Sequence, residues 1–162
     1  MKRIMALIDF SPITAAVLSI ASDMARAFDG ELILLHVATA QSELASDEAR
    51  HETLSDADPQ TDIAHASERQ MSVLKLALNK VGVNVTVIVA PDPRPGASPI
   101  AKIAEQIARH SPDLIVLGSH GHGRLHQLLA GSTSDAVMRR AVCPVVLVPF
   151  RMADGELNFR AD

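Results

Sequence analysis

The sequence predicts an α/β fold: a single doubly wound, five-stranded parallel sheet with helices on both faces. Short apolar-rich runs recur at Ile4–Ile8, Leu32–Val37, Val83–Val89, Leu114–Leu117 and Val145–Val148. Between them lie stretches whose apolar residues repeat at helical spacing, and turn-forming glycines, serines and prolines separate the two. Strands that alternate with helices are expected to run parallel. Right-handed crossovers then place helices on both faces of the sheet.

Ile4 to Ile8 is a continuous apolar run that stops at Asp9, as suits a strand buried on both faces. Ser11-Pro12 reads as a helix start, with serine as cap and proline at the first helical position. Val17, Ile20, Ala21, Met24 and Phe28 follow at helical spacing, and Asp29-Gly30 ends that helix. Leu32 to Val37 is the second buried strand. His36 lies within it and reads as a core histidine with its hydrogen bonds satisfied.

Residues 38–62 break the rhythm with Ser, Asp, Glu and Ala and few large apolar groups. They are expected to form a flexible acidic loop or a partly helical insertion, longer than an ordinary connection. A solvated surface segment is the simpler expectation, and a flap over a ligand cleft the sharper one. Met71, Leu74, Leu78 and Val81 mark the next helix, closed by Gly82. Val83 to Val89 alternates at first, which fits an edge strand with one less buried face.

Pro91 to Pro99 is a proline-punctuated loop, and Ile100, Ile103, Ala104 and Ile107 form a third helical stripe. Ser111-Pro112-Asp113 turns into the fourth strand, Leu114 to Leu117. Ser132 to Ala141 is a short helix with Val137 facing inward. Val145 to Val148 is the fifth strand, and residues 151–162 form a polar tail.

At 162 residues the chain is most simply one domain over residues 1–150, long enough for a substantial core. Hydrophobic residues make up 48% and there is no Trp or Tyr, so that core must be aliphatic. A formal charge of −4 argues against broad electrostatic binding to nucleic acid, which needs a basic face. The single cysteine, Cys143, excludes an intrachain disulfide and reads as a small core residue. Met1 to Asp9 is too short an apolar stretch for a signal peptide, and no run is long enough to cross a bilayer. A cytoplasmic protein, without membrane or nucleic-acid partners, is expected.

The chemistry concentrates after the fourth strand, in Gly118-Ser119-His120-Gly121, nine residues, then Gly131-Ser132-Thr133. Glycines at a strand-to-helix turn let backbone N–H groups come close to a ligand. The helix N-terminus adds unpaired donors and partial positive charge. Ser132 and Thr133 add hydroxyls at the cap. These parts suit an anion, above all a phosphate. Ordinary turn geometry is the alternative for the glycines. The Gly-Lys-[Ser/Thr] of a Walker A loop is absent, so phosphate charge would be met by N–H groups, Arg124 or a histidine, and a metal ion.

Asp9 has two readings, as an acceptor for a nucleoside or a ligand for phosphate-bound Mg²⁺, and as a turn former or helix cap. His120, His122 and His126 form H-x-H-x3-H, which could hold Zn²⁺ or Ni²⁺. The glycine-rich segment does not fix their geometry and no fourth ligand lies close by. A neutral His120 donating to phosphate is more economical. No nucleophile elbow, catalytic cysteine setting or paired-carboxylate motif is present.

The spacing G-x-x-G-x9-G-[ST] resembles the nucleotide-binding pattern of the universal stress protein family. The resemblance runs from Arg3 to about Pro149 and includes Met5-Ala-Leu-Ile-Asp9-Phe-Ser11, Leu34-Leu-His-Val37, Asp113-Leu-Ile-Val-Leu-Gly-Ser-His-Gly121 and Cys143-Pro-Val-Val-Leu-Val-Pro149. It implies an adenine nucleotide alpha-hydrolase-like fold with strand order 3-2-1-4-5 and a cleft between strands one and four. It further implies that Ser119, His120 and Gly121 lie along the phosphates, with Ser132 and Thr133 contacting them. Asp9 would lie in the nucleoside part, walled by Phe10, Ser11 and Pro12, and Val37 near adenine. The Pro91-Asp-Pro-Arg-Pro-Gly96 loop is more proline-rich than the family pattern.

The first expectation is therefore a universal stress protein that binds ATP, with Mg²⁺ or Mn²⁺, as a nucleotide-responsive stress or signalling dimer. The all-apolar fifth strand, Val145–Val148, would form the homodimer edge, unless the polar tail folds back over it. The second is a stress-related scaffold whose site is empty or takes AMP or cyclic AMP. The third is a slow ATPase using metal held by Asp9 and the loop histidines; slow hydrolysis follows only from the resemblance.

Overall fold

The computed structural model describes residues 1–38, 59–91, 99–119 and 133–149, with side chains from residue 65 onward in the second stretch. The elements run β1 (Arg3–Leu7), α1 (Thr14–Ala27), β2 (Glu31–Ala38), α2 (Pro59–Lys80), β3 (Asn84–Pro91), α3 (Ile100–His110), β4 (Leu114–Gly118), α4 (Thr133–Arg140) and β5 (Val145–Val148). The sheet has order β3-β2-β1-β4-β5 with every neighbouring pair parallel. Met5 of β1 sits between Ile33 of β2 and Ile115 of β4.

Successive strand side chains point to opposite faces, and both faces here are covered. Ile4, Ala6, Leu32, Leu34 and Val116 join Val17, Ala21 and Ala25 of α1 and Met71 of α2 in one cluster. Met5, Ile33, Leu35, Ile115 and Leu117 join Ile103 of α3 and Val137 of α4 in the other. Hence α1 and α2 lie on one face, α3 and α4 on the other. Ile4, Met5 and Ala6 are each 0% exposed, which is why β1 reads as unbroken apolar sequence.

Several local expectations are corrected. Ser11-Pro12 does not start α1. The Ser11 N–H goes to the Asp9 carboxylate at 3.0 Å, and the Thr14 N–H to the Ser11 carbonyl at 2.9 Å. Residues 11–13 are thereby spent on a turn, and the helix opens behind Ile13 with no side-chain cap. At the other end, Asp29 rather than Gly30 takes the left-handed conformation, with φ of 48°. Gly30 is needed for space, because a Cβ there would stand 3.0 Å from the Lys2 carbonyl oxygen. Val81 is 56% exposed and leaves the α2 stripe, since the helix has ended at Lys80.

Ala38 closes β2 and Pro59 opens α2, so the ends of the expected 38–62 loop are regular structure. Residues 39–58, 92–98, 120–132 and 150–162 lie outside the described residues, and with them most of that loop and the tail. Cys143 is half-buried against the second cluster, and burial pushes its thiol pKa up, as fits a packing residue. Among the described residues, no helix is long and apolar enough to cross a membrane.

Candidate functional site

The chain leaves β1 towards α1 on one face and leaves β4 towards α4 on the other. Adjacent parallel strands whose connections part in this way open a crevice at their C-terminal ends. Ala6 pairs with Val116, so Asp9 and Ser119 each lie three residues beyond that pair at this rim.

On the β1 side, one Asp9 carboxylate oxygen, Oδ1, accepts the Ser11 N–H at 3.0 Å and the Thr14 hydroxyl at 3.4 Å. The turn-forming reading of Asp9 is thus realised at the crevice mouth. Phe10 adopts φ of 57°, a left-handed conformation that costs a non-glycine residue about 1–3 kcal/mol. Its ring packs on His36, centroids 4.7 Å apart. The Ser11 hydroxyl is buried without a hydrogen-bond partner among the described residues, while Pro12 is exposed.

His36 is 2% exposed, and its Nδ1 lies 2.7 Å from the Ile8 carbonyl oxygen. A carbonyl only accepts, so Nδ1 carries the proton. Burial lowers the His36 pKa, against the opposing pull of the Ile8 carbonyl and of Asp9, and favours neutral imidazole. Val37, half-buried, points to the opposite face of the sheet at the upper end of β2.

On the β4 side, the Ser119 N–H donates to the Val148 carbonyl at 2.8 Å, tying the strand end to β5. The Ser134 hydroxyl donates to the Gly118 carbonyl, also at 2.8 Å. Ser134 is a residue the sequence reading missed. Its signal in the sequence is the third hydroxyl of Ser132-Thr133-Ser134. Thr133 is the first residue of α4, placing helix N–H donors beside the glycine-bounded segment.

The structure thus brings Asp9, Phe10, Ser11, Pro12, Gly118, Ser119 and Thr133 to the C-terminal rim of the sheet, with Val37 one strand away. His120, Gly121, Arg124, Gly131 and Ser132 lie outside the described residues, as do His122 and His126. Among the described residues, no group of three or more His, Cys, Asp or Glu is placed to hold a metal ion. Asp9 could supply an oxygen ligand to a hard cation at this rim.

The model of the universal stress protein family matches residues 1–149. The chain belongs to the universal stress protein family. Universal stress protein A homolog 2 of Coxiella burnetii is 33% identical over 122 residues, covering 74% of this chain and 75% of that one. Among solved structures, MJ0577 superposes with a TM-score of 0.72 at 24% identity, over 94% of this chain and 98% of that one. A universal stress protein of Archaeoglobus fulgidus, solved with dAMP, gives a TM-score of 0.59 at 17% identity, over 91% and 96%. A universal stress protein solved in complex with cAMP gives a TM-score of 0.58 at 17% identity, over 91% of this chain and 96% of that one. At these identities the solved structures establish the fold, which is the adenine nucleotide alpha-hydrolase-like arrangement expected from the sequence.

Proposed function

We propose that this universal stress protein binds an adenine nucleotide, ATP foremost, in the crevice between β1 and β4. The observation that carries the reading is the meeting of two features at one rim. Asp9 lies two residues beyond the end of β1, the strand that pairs with β4, and α4 opens directly after the G-x-x-G-x9-G-[ST] spacing. Helix N–H groups and glycine backbone would hold phosphate, with Ser119, His120, Gly121, Arg124, Gly131, Ser132 and Thr133 around it. Asp9, Phe10, Ser11, Pro12 and Val37 would border the nucleoside. Asp9 would be the residue to hold a Mg²⁺ or Mn²⁺ ion, which would supply positive charge to offset phosphate in a site without a Walker lysine.

The solved relatives with dAMP and cAMP favour a second reading, in which the resident ligand is a nucleoside monophosphate. Either ligand would act as a signal, in a cytoplasmic homodimer joined along β5. That edge carries Leu147 at 40% exposure beside half-buried Val145 and Val146.

The test is to denature freshly purified protein and identify the released nucleotide by mass spectrometry, then titrate ATP or AMP with Mg²⁺ by calorimetry. Near-stoichiometric ATP supports the first reading and AMP or cAMP the second. No released nucleotide and no binding heat overturns both. Gly121→Leu should abolish binding while leaving the thermal transition in place; unchanged affinity would sink the assignment of the glycine segment.

A further inference from the structure

We infer that His36 is a positioning residue for the nucleotide crevice: it sets the direction of the Asp9 carboxylate by holding the residues on either side of it. The inference rests on the reading of that crevice as a nucleotide site.

Three observations meet here. The His36 Nδ1–H donates to Ile8, the residue before Asp9, at 2.7 Å. Its imidazole packs on Phe10, the residue after Asp9, at 4.7 Å with planes tilted by 53°. Phe10 is held left-handed at φ of 57°, a conformation that persists in a bulky residue only where its surroundings over-determine it. His36 therefore grips both flanks of Asp9 from the next strand. Within the turn, Asp9 is fixed further by the Ser11 N–H and the Thr14 hydroxyl. Two neighbours of Asp9 are constrained by one imidazole that reaches it only through space, an arrangement that orients without taking part in binding.

His36→Asn and His36→Leu decide the matter. The two replacements have the same number of side-chain heavy atoms and the same branching, and both remove the ring from Phe10. Only asparagine keeps an N–H donor near the Nδ1 position. In His36→Leu, affinity for ATP with Mg²⁺ is expected to fall about tenfold, the loss that follows when a buried acceptor and its orienting bond are given up. In the ligand-free chain, exchange of the Ser11 amide should quicken about tenfold for the same reason. His36→Asn, which keeps the bond to Ile8 but loses the ring on Phe10, should fall between the parent and His36→Leu on both readouts, about threefold from the parent. Equal effects from the two variants, or none from either, would overturn the proposal.

If the parent chain binds no adenine nucleotide, the proposed function falls, and amide exchange alone still decides whether His36 holds the turn. A third measurement needs no variant. The His36 Nδ1 proton should appear as a slowly exchanging nitrogen-bound resonance that shifts on nucleotide addition. Its absence, or indifference to saturating nucleotide, counts against the role even where the leucine variant fails to fold.

Discussion

The Ser134 hydroxyl donates to the Gly118 carbonyl oxygen at 2.8 Å, joining the first turn of α4 to the last residue of β4. The two residues are 16 apart in sequence and enclose the whole glycine-bounded segment. The ends of the segment are thereby held together, which would lower the ordering cost of binding a ligand there.

Ser134→Ala should therefore weaken adenine-nucleotide binding more than it weakens the fold. Losing one hydrogen bond of this kind costs about 1 kcal/mol of stability. Affinity should drop about fivefold as the ends of the segment separate. Calorimetry beside thermal unfolding checks both; a stability loss with unchanged affinity would detach the clamp from the site.

Stability should fall as the solution is acidified through the range in which histidine titrates. His36 has its pKa lowered by burial, so below about pH 6.5 the unfolded chain binds a proton that the folded chain resists. The contribution is complete above the unfolded pKa and is lost as pH falls towards the folded one. Urea midpoints measured between pH 8 and 5 should decline in the parent, and His36→Asn should flatten the part of the decline due to this residue. A parallel decline in both chains would assign it elsewhere.

Gly30→Ala should destabilise the fold by about 1–3 kcal/mol, the range for overpacking. The added Cβ would meet the Lys2 carbonyl oxygen at 3.0 Å. That oxygen cannot retreat, because it accepts the Glu31 N–H at 2.7 Å while Asp113 holds the Lys2 N–H at 2.7 Å. Gly82→Ala is the useful contrast. It has no atom within 4 Å of the new Cβ but a φ of 79°, so only backbone strain of about 1–2 kcal/mol is expected. Thermal unfolding of the two variants separates crowding from conformation.

Leu147→Lys should convert a β5-joined dimer to monomer without unfolding it, because this side chain is 40% exposed on an edge strand. Light scattering at micromolar concentration reads the change. A parent chain already monomeric there would reject the β5 dimer.

The order of elements was legible because each strand and helix carries its own apolar pattern, and strands buried on both faces cannot hide it. The strand order 3-2-1-4-5 came from resemblance to a family, since periodicity says nothing of which strands are neighbours. Helix ends were less legible. Ser11-Pro12 is locally a good start, but the Asp9 carboxylate competes for the Ser11 N–H and wins, moving the helix to Thr14. Asp29 and Gly30 exchanged expected roles for a similar reason: the need for space beside Lys2 is set by β1, not by the turn.

By itself the sequence determined the alternation of elements, the aliphatic core and the glycine spacing, all of which depend on residues near one another in the chain. Only the tertiary structure decided that Gly118 is clamped by Ser134 and that the flanks of Asp9 are gripped by His36. These contacts join residues 16 and 28 apart through single hydrogen bonds. A hydrogen bond has a direction and a reach of about 3 Å, and neither is written into a one-dimensional pattern until the strands are laid side by side.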